Sequence, residues 1–186
     1  DHRDLHSFPT RRSSDLKNIL KKSTSISGVG LHTGKPVEMH IAPGEDGSGI
    51  KFVRSDLGPQ AVISADVNHV FTTNRGTTLK SGDATIATIE HLLSALHALQ
   101  IEDVIISVNG PEIPIMDGSA KSFMDLLESS GLEKAESSRE IFVVQEAFYF
   151  TDADTGAEYA VYPSEDFELN VILHFAESTL GDMVAT

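Results

Sequence analysis

The sequence predicts an α+β protein, a two-layer domain of sheet and helices followed by the start of a second, similar domain. Short runs of alternating or β-branched residues dominate residues 17–132, and Gly, Pro and Asp turn signals separate them. Two segments of this region carry apolar residues at helical spacing. Beyond residue 140 the strand pattern restarts without a helix. An open sheet without helical cover exposes an apolar face, so we expect the second domain to be incomplete within these residues.

Five short strands precede the first predicted helix. Each is an alternating or β-branched run that ends in a turn signal, of which residues 43–47 (PGEDG) are the clearest. The predicted strands are 23–31, 37–42, 50–54, 61–65 and 77–80.

The first predicted helix begins with Glu90 and His91 and ends near Gln100. At 100° per residue its large apolar side chains fall on one broad face: Ile89, Leu92, Leu93, Leu96 and Leu99. Glu90 and His91 point away from that face. Small residues are expected on their side: Ser94, Ala95 and Ala98. Such a helix commits its leucines to a core and leaves room for a ligand beside the acid and the histidine.

A compact apolar strand, 104–108, follows the first helix. Residues 111–115 contain two prolines, which cannot donate to a sheet, so we expect an edge or an irregular extended segment there. A turn at 117–118 leads to Ser119, which is predicted to cap a second helix. The apolar stripe of that helix is Ala120, Phe123, Met124 and Leu127, and Gly131 is its expected stop.

Polar segments delimit the predicted domains. Residues 1–16 lack periodicity, and we expect a disordered or artefactual segment there. Residues 17–132 form the first domain, and the polar stretch 133–140 is interpreted as a linker. Residues 141–186 then begin the second domain. Its predicted strands are 141–145, 148–151, 159–162 and 169–175.

Composition narrows the function classes. The 186 residues carry a formal charge of −14, which argues against a nucleic acid partner because phosphate binding needs a basic face. An anionic small molecule would need a local cluster of basic groups, for which Arg75, Lys80 and Lys35 are candidates. With no cysteine, any metal must be held by His, Asp or Glu, and a reducing cytoplasm is the expected location. No apolar stretch reaches the roughly 20 residues of a transmembrane helix.

The Glu90–His91 pair has two interpretations. One is a metal-ligating histidine beside a general base. The other is a solvated pair on an ordinary surface helix, and this segment alone does not decide between them.

Three segments together carry a family resemblance: residues 28–34 (GVGLHTG), 88–95 (TIEHLLSA) and 111–120 (PEIPIMDGSA). In this order and spacing the chain closely resembles the zinc-dependent UDP-3-O-acyl-N-acetylglucosamine deacetylases of lipid A (lipopolysaccharide) synthesis in Gram-negative bacteria. The resemblance covers residues 16 to about 175. Residues 73–79 (TNRGTTL) and the Leu-Gly at 180–181 look like Bacteroidetes-type members, some of which are fused to an acyl-carrier-protein dehydratase.

The resemblance implies two similar α+β domains with helices packed between their sheets and an active site at the domain junction. It implies that His91 is the first Zn²⁺ ligand and Glu90 the general base. His32, Arg75 and Thr77 are expected to bind the substrate, a UDP-linked acylated glucosamine that loses its N-acetyl group. The remaining ligands, a His and an Asp, and a His general acid belong to the family's second domain. They are expected beyond residue 186, so we expect this chain to be inactive as a fragment.

Two alternatives from other classes remain. A non-catalytic module that binds a sugar nucleotide or a protein beside Glu90 would be indifferent to chelators and to His91→Ala. A metal-free enzyme on a similar scaffold, such as a small-molecule kinase, ranks last because the sequence has no G-x-x-x-x-G-K phosphate loop.

Overall fold

The computed structural model describes residues 16–138, 143–165, 167–175 and 181–185. The chain divides into two compact units between residues 139 and 140. The first unit combines strands with two helices, which confirms the predicted α+β class. Its elements are β1 (Leu16–Leu20), β2 (Thr24–Val29), β3 (Pro36–Pro43), β4 (Ile50–Arg54), β5 (Val62–Ser64), β6 (Val70–Thr72), β7 (Thr78–Ser81), β8 (Ala84–Ala87), α1 (Glu90–Ala98), β9 (Val104–Val108), α2 (Lys121–Ser129) and β10 (Leu132–Ser138).

A five-stranded sheet in the order β2-β3-β9-β4-β5 forms one layer of the first unit. Neighbouring strands are antiparallel except β4 and β9, which pair in parallel. Alternate residues of β3 and β9 are buried, as a period of two requires when one face of a sheet is covered. They share a single core with the apolar faces of α1 and α2: Met39, Ile41, Ile106, Leu92, Leu96, Phe123 and Leu127.

A separate three-stranded antiparallel ribbon, β6-β7-β8, leads directly into α1. The end of β8 is fixed by the extended segment that follows β9. Ala87 N donates to Pro111 O at 2.9 Å, and Ile113 N donates to Ala87 O at 3.2 Å. Apart from this bridge, residues 111–115 form no strand, as the two prolines predict. The segment nevertheless runs through the interior, since Glu112 and Ile113 are both buried.

β1 and β10 differ from the sequence predictions. Residues 132–138 form a strand that pairs antiparallel with Leu16–Leu20, where a linker over 133–140 and a disordered segment reaching residue 16 were expected. The pattern misled because only Ala135 of β10 is buried, so the strand looks polar. A buried ion pair anchors β1: Lys17 Nζ lies 2.5 Å from Asp103 Oδ2 and 2.7 Å from Asp46 Oδ1. Residues 1–15 lie outside the described residues.

The helix ends also differ slightly from prediction. α1 ends at Ala98, and Gln100 then adopts a left-handed φ of 56°. α2 begins at Lys121, with Ala120 at its N-cap position. The predicted cap, Ser119, is one residue earlier, although its hydroxyl accepts the Lys121 N–H at 3.1 Å. Gly131, with φ 75°, follows the helix end, as predicted.

The second unit is described by two antiparallel hairpins. β11 (Phe148–Thr151) pairs with β12 (Glu158–Val161), and β13 (Val171–Phe175) pairs with β14 (Gly181–Ala185). A strand over 141–145 is wrong for 143–145, which are irregular, while 141–142 fall outside the described residues. No helix of the described ranges is long and apolar enough to cross a membrane.

Candidate active site

Glu90 and His91 are the first two residues of α1, and burial of the opposite face fixes their direction. Ile89 and Leu92 are fully buried beneath them, whereas 39% of the Glu90 side chain and 29% of the His91 side chain are exposed. The predicted separation of an apolar and a polar face is therefore confirmed. Ala95, one turn after His91, is completely buried, whereas Ser94 and Ala98 are exposed.

The Glu90 carboxylate has one oxygen engaged by the backbone and one directed toward the histidine. Thr77 N, just before β7, donates to Glu90 Oε2 at 3.0 Å. Glu90 Oε1 lies 4.0 Å from His91 Nε2, which is too far for a hydrogen bond. Glu90 Oε1 and the His91 imidazole are therefore close to each other, and no hydrogen bond joins them. Thr77 contributes to this site through its main chain.

The space beside the α-carbon of Gly76, here called the Gly76 niche, is bordered by polar atoms of three side chains. A β-carbon at that position would stand 3.2 Å from Glu90 Oε1, 3.8 Å from His32 Nε2 and 3.9 Å from Thr88 Oγ1. Gly76 has φ 147°, a conformation that favours glycine. Polar side chains from two parts of the sequence, His32 and the neighbouring Thr88 and Glu90, therefore border one space that a β-carbon would narrow.

His32 reaches the niche from the turn between β2 and β3. Its Nε2 lies 3.1 Å from Arg75 O, so the main chain of Arg75 holds the imidazole. Arg75 has a left-handed φ of 59° and an exposed side chain. The structure thus brings His32, Thr77, Glu90 and His91 together. The Arg75 carbonyl lies at this site, whereas its guanidinium has no described contact there.

Glu112 is a residue of this region that the sequence reasoning missed. It is 1% exposed, and its carboxylate accepts hydrogen bonds from His32 N (to Oε1, 2.9 Å), Thr33 N (to Oε2, 2.9 Å) and Thr88 Oγ1 (to Oε1, 3.0 Å), with a further contribution from the Thr33 hydroxyl. Burial by itself raises the pKa of Glu112, but these donors outweigh it and hold the pKa below its ordinary value. An acid within the otherwise apolar run 111–115 was the available signal.

Thr88 has an unusual backbone. Its φ of 61° is left-handed, which is rare for a β-branched residue and marks local strain. The residue is 4% exposed and stands two positions before Glu90. The strain therefore lies at the point where the ribbon turns into α1.

The described residues supply an incomplete set of metal ligands. Within residues 16–138, 143–165, 167–175 and 181–185, no three His, Asp or Glu side chains are placed to hold one ion. His91 can offer one imidazole nitrogen, the ligand type that suits zinc. A complete zinc site would need ligands from outside these residues.

A family comparison decides what kind of protein carries this arrangement. The sequence model of the family LpxC, UDP-3-O-acyl N-acetylglycosamine deacetylase, matches residues 17–186. The chain belongs to this deacetylase family. The match includes the His32 turn, the Gly76 niche, Glu90, His91 and Glu112 within one continuous segment.

Curated relatives agree with the LpxC assignment. The chain is 38% identical over 170 residues to a bifunctional enzyme LpxC/FabZ of Bacteroides thetaiotaomicron, covering 91% of this chain and 37% of that protein. It is 37% identical over 161 residues to a UDP-3-O-acyl-N-acetylglucosamine deacetylase of Geobacter sp., covering 87% and 52%. For the deacetylase of Chlamydia pneumoniae the values are 37% identity over 167 residues, 89% and 58%. The chain therefore spans between about a third and three-fifths of the length of these relatives.

Proposed function

We propose that this LpxC-family chain supplies the general base and one Zn²⁺ ligand of an enzyme that removes the N-acetyl group from UDP-3-O-acyl-N-acetylglucosamine. The observation that carries the proposal is the Glu90 carboxylate, which is held by Thr77 N at Oε2 and is open at Oε1 beside His91. Family membership and the names of the relatives supply the substrate.

Amide hydrolysis requires an attacking water to lose a proton and the departing sugar nitrogen to gain one. Glu90 Oε1 faces the Gly76 niche and can accept the first proton. The Thr77 N–H keeps Oε2 occupied, so the carboxylate has one defined direction. Because a base must be positioned within hydrogen-bond reach of its proton, this fixed orientation supports the role of Glu90.

His91 fits a ligand role, since its half-exposed ring lies next to the base without a hydrogen bond to it. When bound, zinc supplies Lewis-acid polarisation of the amide carbonyl and stabilises the charge that develops on its oxygen. His32 lines the same niche and is proposed to contact the substrate, with Arg75 and Thr77 beside it. The exposed Arg75 is adjacent in sequence to Gly76, and its proposed partner is the diphosphate.

The test uses the full-length protein encoded by the reading frame. Glu90→Ala should retain zinc and lose most turnover, because it removes the base and leaves the ligand. His91→Ala should lose zinc, measured as metal bound per protein after dialysis. His97→Ala, another histidine of α1, is the control and should change neither. Near-normal rates in both Glu90→Ala and His91→Ala would refute the role assignment.

The alternative is a non-catalytic module that binds a sugar nucleotide, and binding experiments on the same full-length protein can exclude it. Such a module would bind the UDP-sugar equally well with and without a chelator and after His91→Ala, which calorimetry measures.

We further propose a cytoplasmic location. The two bifunctional LpxC/FabZ relatives support a dehydratase domain fused in the same reading frame, and sequencing that frame tests it.

A further inference from the structure

Glu112 joins segments that are distant in sequence and that border the same space. Its donors His32 and Thr33 lie 80 and 79 residues away, and Thr88 lies 24 residues away. His32 and Thr88 each place a polar atom within 4 Å of the point where a β-carbon on Gly76 would stand. The buried Glu112 carboxylate therefore holds two of the residues that border the Gly76 niche, His32 and Thr88.

The turn that carries His32 is wrapped around this carboxylate. A β-carbon on Gly30 would stand 2.4 Å from Glu112 Oε2 and 2.3 Å from Thr33 Oγ1, so only glycine allows the backbone to approach so closely. The consecutive N–H groups of His32 and Thr33 then point at the two oxygens. Amides oriented in this way form an anion-binding concavity, here filled by a side chain of the protein itself.

The contact with Thr88 explains how a strained residue can persist beside α1. A left-handed threonine persists only where its surroundings over-determine it. The bond from Thr88 Oγ1 to Glu112 and the bonds of Ala87 to Pro111 and Ile113 provide such restraint. The direction in which the chain enters α1, and with it the position of Glu90, depends on this restraint.

We propose that Glu112 is a positioning residue, which holds the His32 turn and the Thr88 backbone so that His32 and Glu90 face one another across the Gly76 niche. The effect of Glu112 on turnover rests on the proposed function. Its structural part, the restraint of the His32 turn, stands on the contacts alone. Glu112 itself acts through these neighbours, because the hydrogen bonds described for its carboxylate all come from protein groups.

The experiment uses full-length protein and the variants Glu112→Gln and Thr88→Val, each close in shape to the residue it replaces. Glu112→Gln removes the charge and replaces one of the two acceptor oxygens by an NH2 donor. Thr88→Val removes only the hydroxyl donor. The controls are Glu38→Gln, which neutralises an exposed glutamate of β3, and Thr88→Ser, which keeps the hydroxyl. Turnover, KM, bound zinc and amide hydrogen exchange at His32 and Thr33 are measured for each.

We expect Glu112→Gln to lower kcat by about 10- to 100-fold, the effect of a displaced reacting group, with zinc content unchanged. Exchange at one of His32 and Thr33 should accelerate at least about tenfold, because glutamine keeps a single acceptor oxygen and turns an NH2 group toward the other amide. Thr88→Val should lower kcat in the same direction and Thr88→Ser should restore it. In the double variant Glu112→Gln/Thr88→Val the losses should be less than additive, since both changes remove one interaction.

Unchanged exchange at His32 and Thr33 in Glu112→Gln would overturn the proposal, as would a kcat equal to that of Glu38→Gln. Should Glu112→Gln not fold, a wild-type kcat in Thr88→Val would overturn it instead. A wild-type protein without deacetylase activity would refute the proposed function, while the exchange measurement would still decide the restraint. Activity lost in Glu90→Ala but kept in Glu112→Gln would refute only the role of Glu112.

Discussion

Gly76→Ala tests whether the open space beside Glu90 matters for turnover. The structure gives two consequences of the added methyl group. Gly76 has φ 147°, so alanine there is strained by about 1–3 kcal/mol. The β-carbon would also lie 3.2 Å from Glu90 Oε1, closer than ordinary van der Waals contact. The carboxylate must then move by a few tenths of an ångström.

The expected loss in kcat is about tenfold, because a misplacement of about 1 Å costs on the order of 100-fold and this shift is smaller. Gly82→Ala is the matched control. Gly82 also has a left-handed φ, 57°, but an added β-carbon would meet nothing within 4 Å. Because alanine can adopt φ 57° more readily than φ 147°, Gly82→Ala should lose less stability than Gly76→Ala, about 1 kcal/mol by urea unfolding, and its kcat should stay within about twofold of wild type.

Steady-state kinetics of the two full-length variants, with stability measured in parallel, separates crowding from strain. A larger fall of kcat in Gly76→Ala than in Gly82→Ala is the predicted result. Equal kcat values in the two variants would refute the view that Glu90 Oε1 works from the Gly76 niche.

Two further predictions concern the buried charges. Among the described residues, Asp103→Asn leaves the buried Lys17 with only the exposed Asp46 as a charged partner, so the free energy of unfolding should fall by about 3–5 kcal/mol in urea titrations. A change below about 1 kcal/mol would contradict the role of this pair. Asp103 and Glu112 also have lowered pKa values, despite burial that raises them, because hydrogen bonds from Lys17 to Asp103 and from the His32 turn to Glu112 outweigh it. Carboxylates of this kind stabilise the fold above their ordinary pKa, about 4, and that stability is lost as the pH falls through the lower folded-state value. Thermal melts should be flat near neutral pH and decline below about pH 4, and Glu112→Gln should show a shallower decline; an equal slope in the variant would count against this assignment.

The helices could be predicted because their signals are local. The leucines of α1 recur at helical spacing, and both the beginning of the helix at Glu90 and the burial of Leu92 and Leu96 match that pattern. The same holds for α2, where Phe123 and Leu127 are buried. Strands β3, β4 and β9 were found for the same reason, since alternation along a strand is a property of neighbouring residues.

The missed elements depend on contacts between distant residues. β1 and β10 pair Leu16 with Ser138 and Leu20 with Leu132, and neither strand has a continuous apolar face. β6 has three residues and none of them is buried, so it shows no alternation between a buried and an exposed face. Short, half-exposed strands acquire their identity from a partner, which a single sequence does not reveal.

The candidate active site likewise contains residues that local sequence signals predicted and contacts that only the folded chain reveals. Glu90 and His91 were visible because one helix carries both, whereas the meeting of His32 with the Arg75 carbonyl depends on tertiary structure. Glu112 belongs to the family motif at residues 111–120, but its function as an acceptor for His32, Thr33 and Thr88 follows only from the folded backbone.

The central claim is that His91 anchors zinc while Glu90 remains free to act as a base. An anomalous difference map of crystals of the full-length protein, recorded at the zinc edge, tests it most directly. We predict a single strong peak at bonding distance from an imidazole nitrogen of His91, with the Glu90 carboxylate nearby but outside the coordination sphere. A fully loaded protein whose zinc peak lies away from His91, or is ligated by Glu90, would contradict the assignment.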